Sequence, residues 1–110
     1  MIKILADPHI PCIEVSGHAG FAESGKDIVC AGVSSIVFSY LKSVRILVGN
    51  EPICIEDSKK GYLKIIVDEK SSHRLKKIKL LYKSMLIGLK EIEKKYPDYV
   101  RIYNGGNNGS

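Results

Sequence analysis

The chain has 110 residues, of which 45% are hydrophobic and 26% are charged, and it contains no Trp. This length allows one domain with one core, and it is short for most multi-layer nucleotide-binding folds. The formal net charge of +5 at pH 7 favours acidic partners such as RNA or RNA-bound proteins, although a lysine-rich solvated helix produces the same charge.

The first half of the chain predicts two strands followed by a helix. Residues 2–5 and 10–15 are apolar segments on either side of the turn signal Asp7-Pro8, a pattern typical of a hairpin. A glycine-bearing loop follows. From Asp27 onward, apolar residues recur at steps of three and four, as they do on one face of a helix. We expect this helix to start at Asp27 and to end before Gly49.

The second half predicts another hairpin, a long helix and a last strand. The strands of the hairpin are residues 53–56 and 62–67, which flank a turn-rich connector. Ser71 or the serine after it is suited to cap the long helix, whose apolar stripe runs from Leu75 to Ile92 and which ends at Tyr96-Pro97. Residues 99–103 then alternate as a strand does.

These elements follow one another in the order ββαββαβ. The simplest solution is an α+β fold, in which two helices pack on a mainly antiparallel sheet. We expect a single domain over residues 1–103 and a flexible tail over residues 104–110, which are rich in Gly and Asn.

The three cysteines are an odd number and lie far apart in the chain. Cys12, Cys30 and Cys54 form no CxxC pair, so neither a disulfide scaffold nor a zinc site is indicated, and we expect no metal and no cofactor. Cys12 and Cys54 fit core strands. No signal peptide is recognisable, and no apolar run approaches the 18 residues of a membrane span. We therefore expect a reduced, cytoplasmic chain that contacts no membrane.

One histidine and one cysteine are placed where thiol chemistry is possible. His18 ends a predicted strand, and Cys30 lies in the first turn of the predicted helix. The positive end of the helix dipole favours a thiolate, so we expect the pKa of Cys30 to lie below the free-thiol value of about 8.5. Backbone N–H groups of the first turn, that of Cys30 included, are candidates for holding an oxyanion. The histidine would serve as the base of a Cys/His dyad.

Neighbouring residues could support such a dyad. Asp27 and Ser34 are candidates for orienting the imidazole, and Gly17, Gly20 and Gly25 give the intervening loop the backbone freedom to gate a substrate site. The simpler interpretations are a core cysteine, a turn histidine, a plain helix cap at Asp27 and a serine bonded to its own helix backbone.

A phosphate loop is a competing interpretation of the same segment. Residues 20–26 match the pattern GxxxxGK. The next residue is Asp27, however, where a phosphate loop needs a hydroxyl that binds magnesium. A carboxylate at this position would repel the phosphates, so the match fails at a chemically necessary residue.

The segment also resembles a known family. Gly17-His18-Ala19, followed by residues 25–34 with the sequence GKDIVCAGVS, is similar to the motif of the bacterial ribosomal-processing cysteine proteases, the Prp family. The resemblance extends over about residues 1–103. It implies that His18 is the catalytic histidine and Cys30 the nucleophile, and it places the motif's Asp and Ser on Asp27 and Ser34.

The resemblance also implies a substrate and an assembly. It implies a homodimeric cysteine endopeptidase that removes the N-terminal extension of one large-subunit ribosomal protein by cutting after an aromatic residue. That precursor would be its protein partner. Direct binding to nucleic acid stays open from the sequence. The alternative function is a small basic ribosome- or RNA-associated binding module without catalysis.

Overall fold

The computed structural model describes residues 1–20, 22–23 and 27–104. These residues confirm the α+β class and the order ββαββαβ. The seven elements are β1 (Ile2–Ala6), β2 (Cys12–Ser16), α1 (Ile28–Ser43), β3 (Ile53–Asp57), β4 (Tyr62–Ile66), α2 (Ser72–Lys95) and β5 (Val100–Asn104). The predicted tail was expected from Asn104, but this residue ends β5, and residues 105–110 lie outside the described chain.

The five strands form one mixed sheet in the order β3-β4-β2-β1-β5. All neighbours are antiparallel except β1 and β5, which are parallel. A parallel neighbour needs a long crossover, and α2 provides it between β4 and β5. The register aligns Ile4 with Val15 and Val15 with Leu63, so these apolar side chains share one face of the sheet. The predicted catalytic residues therefore lie beside a continuous apolar face of the sheet.

Helix α1 begins after Asp27, whose side chain caps the first N–H groups of the helix. The side chain of Asp27 accepts hydrogen bonds from the backbone N–H groups of Val29 and Cys30. Many residues of α1 are β-branched and have modest helix propensity, so the helix is stabilised mainly by burial of one side. The buried side chains of α1 are Val29, Val33, Val37, Tyr40 and Leu41. A π-helical turn over Val44–Val48 extends the helix, and Gly49, with a φ of 80°, caps it, so the helix ends before Gly49 as expected.

Helix α2 lies beside α1 on the same face of the sheet. Its N-cap is Ser71, whose hydroxyl accepts a hydrogen bond from the N–H of Arg74. The hydroxyl of Tyr82 donates to the carbonyl oxygens of Asp7 and Cys12, at 2.7 and 2.8 Å, which ties α2 to the β1–β2 turn. The two helices approach closely at Gly88, where an added Cβ would lie 3.2 Å from Ile36 Cδ1.

Two expectations from the sequence need correction. Cys54 lies in the edge strand β3 and is exposed, so it is not a core residue, and Cys12 is half-buried. The segment Ile28–Val48 has 21 residues and is long and apolar enough to cross a membrane by length and composition alone, contrary to the expectation that no segment qualifies. In this fold, however, one side of α1 packs into the hydrophobic core, which is the arrangement of a core helix.

Candidate active site

Cys30 lies in the first turn of α1, where its side chain bonds a backbone N–H and the carboxylate of Asp27. The Ala19 N–H donates to Cys30 Sγ at 3.4 Å. Asp27 caps the helix through the N–H groups of Val29 and Cys30, both at 3.0 Å. These two N–H groups are therefore occupied. The expectation that the Cys30 N–H is available for an oxyanion is wrong for this conformation, because the cap uses it.

His18 is exposed at the end of β2 and lies over a glycine in the next hairpin. Gly61 has a φ of 62°, and an added Cβ there would lie 2.8 Å from His18 Nε2 and 3.2 Å from the Gly17 carbonyl oxygen. The Gly17 N–H donates to the Gly61 carbonyl at 2.8 Å, which fixes the approach of the two segments. An added Cβ at Gly17 would collide with the Met1 carbonyl oxygen. The backbone at Gly17 therefore has no room for a side chain in this conformation.

Replacing Gly61 with Ala should displace His18 and lower kcat about tenfold to a hundredfold, because a small misplacement of a catalytic group slows the reaction strongly. The matched control is Gly49→Ala, at a φ of 80° and next to the flexible end of Arg74. Both substitutions strain the backbone by about 1 kcal/mol or more. Peptide-cleavage kinetics distinguish them, and an equal loss of kcat in the two variants would contradict the role of Gly61.

Two depressions of the surface meet at the predicted catalytic residues. The smaller one has a volume of about 170 Å³ and lies between α1 and the β3–β4 hairpin. Its walls are mainly apolar and include Val33, Phe38 and Leu63. The second is a wider depression on the other side of the N-terminal turn of α1. The residues that line both depressions are His18, Cys30 and Ser34.

The structure corrects the expected ionisation of Cys30. Partial burial raises the pKa of the thiol, the Ala19 N–H lowers it, and the hydrogen bond and negative charge of Asp27 raise it again. The net shift of the pKa is upward, which disfavours the thiolate. The helix dipole was expected to favour the thiolate, but the capping carboxylate lies at the same helix end and opposes it. In the described residues no hydrogen bond joins His18 to Cys30.

Replacing Asp27 with Asn should lower the pKa of Cys30 and accelerate its alkylation at neutral pH. The amide carries no negative charge, so the thiolate is less disfavoured, while Asn still caps the helix. The measurement is the pH dependence of alkylation of Cys30, followed by peptide mapping. Glu56→Gln is the matched control, since Glu56 lines the same cleft but contributes nothing to this shift. Asp27→Ala should additionally cost about 1 kcal/mol of folding stability. An unchanged pH profile in Asp27→Asn would contradict this account.

The sequence-based candidates thus fall into three groups. His18, Cys30, Asp27 and Ser34 are brought together, and Gly20 lines the wider depression. Gly25 lies outside the described residues, so gating by the loop stays a prediction. In the described chain no cluster of three His, Cys, Asp or Glu side chains is placed to hold a metal ion.

Two residues that contact the predicted catalytic pair were not found from the sequence. Ala19 contributes a backbone N–H, which no side-chain pattern reveals, and Gly61 was interpreted as part of a turn. Their contacts with Cys30 and His18 join positions 11 or more residues apart, so only the fold brings them together. The glycine on each side of His18-Ala19 was the only local signal of an unusual backbone.

Known proteins are similar to this chain over most of its length. The ribosomal processing cysteine protease Prp of Bacillus subtilis is 37% identical over 97 residues, which cover 87% of each chain. The Prp of Staphylococcus aureus is 32% identical over 89 residues, or 80% of each chain. A crystal structure of the S. aureus protease with a covalently linked product peptide has a TM-score of 0.81 at 27% identity, and covers 94% of this chain and 99% of that one.

A second S. aureus structure, with a substrate peptide, has a TM-score of 0.76 at 26% identity over the same shares of the two chains. The model of the family "Cysteine protease Prp" matches residues 1–101. That range includes every residue at which the two depressions meet. A thiol and an imidazole that line one cleft are the groups that a cysteine protease requires. The match of the family model and the similarity of sequence and fold show that the chain belongs to the Prp family of cysteine proteases.

Proposed function

We propose that this chain is a cytoplasmic cysteine endopeptidase that removes the N-terminal extension of a large-subunit ribosomal protein, with His18 and Cys30 as its dyad. The observation that carries the proposal is that these two residues, with Ser34, stand at the junction of two depressions. A scissile bond at this junction has room for chain on both sides. The relatives' printed name, ribosomal processing cysteine protease, supports the class of substrate.

The proposed chemistry uses Cys30 as the nucleophile and His18 as the base, which both line the two depressions. His18 accepts the thiol proton of Cys30, and the sulfur attacks the scissile carbonyl carbon. The tetrahedral intermediate collapses to a thioester when the C–N bond breaks, and the imidazolium gives its proton to the leaving amine. Water, deprotonated by the same imidazole, then hydrolyses the thioester and restores the thiol. The pKa of Cys30 is raised, mainly by burial, so a base that accepts the thiol proton favours the attack.

The oxyanion of the intermediate needs a hydrogen-bond donor beside the sulfur. The Ala19 N–H already points at Cys30 Sγ, at 3.4 Å, whereas the Cys30 N–H is held by Asp27. We assign the donor role to Ala19 because its N–H bonds the weak sulfur acceptor beside the reacting carbon, whereas the Cys30 N–H bonds a carboxylate. Asp27 acts as a positioning residue, which holds the helix start and keeps the resting thiol protonated.

The apolar cleft fits the side chain expected before the cut. Val33, Val37, Phe38 and Leu63 line it, and they offer a surface on which an aromatic ring can be buried. Ser34 stands at its mouth and is suited to bond the substrate backbone. Loop residues around Gly20 border the wider depression, where the chain after the cut would leave, so closure of this loop would cover the leaving segment.

Cleavage of the precursor tests this function directly. The purified chain is incubated with the full-length precursor ribosomal protein, and the products are measured by mass spectrometry. We expect a single cut after an aromatic residue of the extension. A precursor that stays intact, or that is cut throughout its length, would contradict the proposed substrate.

We also propose that the chain forms a homodimer. Apolar side chains are left exposed on both helices and on the edge strand β3, including Ile46 at 77%, Leu80 at 70% and Ile53 at 52%. A second copy would cover part of this surface. Light scattering at micromolar concentrations should give twice the mass of 12.2 kDa, and a constant monomer mass would refute the dimer.

A further inference from the structure

The net charge of the chain is concentrated on one helix. Of the 17 basic and 12 acidic residues, α2 carries eight basic and two acidic ones, a net charge of +6. The rest of the chain has nine basic and ten acidic residues, a net charge of −1. The positive potential is therefore a local feature of α2, and the remainder of the protein is almost neutral.

The lysines of α2 lie away from the sheet. Ile78, Tyr82, Met85 and Leu89 form the buried side of the helix. Six lysines are exposed on the remaining surface, which we call the outer face of α2: Lys76, Lys77, Lys83, Lys90, Lys94 and Lys95. At a rise of 1.5 Å per residue, the 24 residues of α2 extend about 36 Å. This face is long enough to follow several consecutive phosphates.

The outer face continues into a small recess at the β1–β2 turn. The recess has a volume of about 110 Å³ and is lined by Pro8, His9, Lys79, Tyr82 and Lys83. The acidic residue of that turn, Asp7, has one carboxylate oxygen bonded to the N–H groups of His9 and Ile10. Two lysines and a histidine thus surround a concave site of a size suited to a phosphate group.

We propose that the outer face of α2 binds the phosphate backbone of RNA without reading its bases. Lysine side chains are compact point charges, and contacts of this kind with phosphate groups carry no sequence information. In the described residues no Phe, Tyr or Trp side chain is exposed on α2, and its one exposed imidazole, that of His73, lies at the start of the helix, so the face lacks the row of stacking rings of single-strand binders, and duplex RNA is the better fit.

A membrane is a poorer fit for the same surface. A helix that lies in a bilayer interface needs a wide apolar face to insert. The apolar side of α2 is already buried against the sheet, and Leu80 and Ile87 are the large apolar side chains that remain exposed on this helix. These two apolar side chains lie among six lysines, so any contact of this face with a membrane would be mainly electrostatic.

The RNA surface and the cleft at Cys30 are separate. No α2 residue lines either depression at the active site in the described chain. One molecule can therefore hold RNA with α2 while its cleft holds a peptide. The inference goes beyond proteolysis and does not depend on it.

The test compares two triple variants of equal charge. Lys76, Lys83 and Lys90 are replaced by Gln on the outer face, and Lys3, Lys42 and Lys64 are replaced by Gln elsewhere as the control. Binding to a 20-base-pair RNA duplex is measured by fluorescence anisotropy from 50 to 300 mM salt, and circular dichroism checks the fold. Vesicles of phosphatidylserine and phosphatidylcholine form a parallel arm.

We expect the outer-face variant to bind RNA about tenfold to a hundredfold more weakly at 0.1 M salt, with a log–log salt slope smaller by about two units, because fewer counterions are released. The control should keep most of its affinity and slope. Peptide cleavage should be unchanged in both variants, which separates this result from a failure of the protease function. Equal weakening of both variants, no binding of RNA by the parent chain, or binding to vesicles with none to RNA would overturn the proposal.

Discussion

Replacing Cys30 with Ala should abolish cleavage of the precursor, with a loss of at least about four orders of magnitude in kcat. The reaction needs the sulfur for the bond to the scissile carbonyl, and among the described residues the other hydroxyl or thiol group that lines both depressions is the weaker nucleophile Ser34. The fold should persist, because Ala retains the helix and replaces a small, half-buried side chain.

The control for this variant is Cys54→Ala. Cys54 is exposed in β3 and lines neither depression, so its loss should leave kcat and KM unchanged. Cleavage is followed by mass spectrometry, and folding by circular dichroism. Substantial turnover by a folded Cys30→Ala protein would mean that another residue is the nucleophile.

Replacing His18 with Ala should lower kcat by several orders of magnitude. When two residues act as a catalytic unit, removal of either one removes nearly all of the rate enhancement that they provide together. The double variant with Cys30→Ala should be no slower than either single variant. The pKa of Cys30 is raised by burial and by Asp27, so without the imidazole few molecules carry a thiolate at neutral pH. Residual activity in His18→Ala should therefore rise with pH as the thiol ionises.

His73→Ala is the matched control, because His73 is exposed at the start of α2, away from the cleft. It should behave as the parent chain does. A His18→Ala protein with the parent's pH profile and more than a tenth of its kcat would show that His18 is not the base.

Much of the fold could be predicted because local patterns and packing agree. The amphipathic period of α2, the cap at Asp27 and the turns between strands each point to the element that forms. The boundaries moved by one or two residues, as at β2, which was expected over residues 10–15 and spans Cys12–Ser16. The π-helical turn over Val44–Val48 left no signal, since its sequence continues the same apolar pattern.

The site was predicted less completely than the fold. His18 and Cys30 could be selected because their residue types carry the chemistry and a motif fixes their separation. The contacts of Ala19 and Gly61 depend on backbone positions that the sheet register sets, and side-chain type does not encode them. The pKa of Cys30 was mispredicted because the cap and the dipole act at the same helix end with opposite sign.

The cysteines also decide which labelling experiment is informative. Cys54 is exposed, whereas Cys30 is half-buried, and the pKa of each of the three thiols is raised by burial. A small general reagent such as iodoacetamide would therefore reach Cys54 as well. A reagent carried by the substrate sequence depends on the cleft and selects the thiol that faces it.

The most direct test of the dyad is labelling with a peptide chloromethyl ketone that ends in an aromatic residue, followed by peptide mapping. We predict one label per chain, on Cys30, with Cys12 and Cys54 unmodified, and labelling at neutral pH slowed by at least about a hundredfold in His18→Ala. A label on Cys54 or Cys12 in place of Cys30, or labelling of Cys30 that is equally fast without His18, would contradict the assignment of His18 and Cys30 as the catalytic pair.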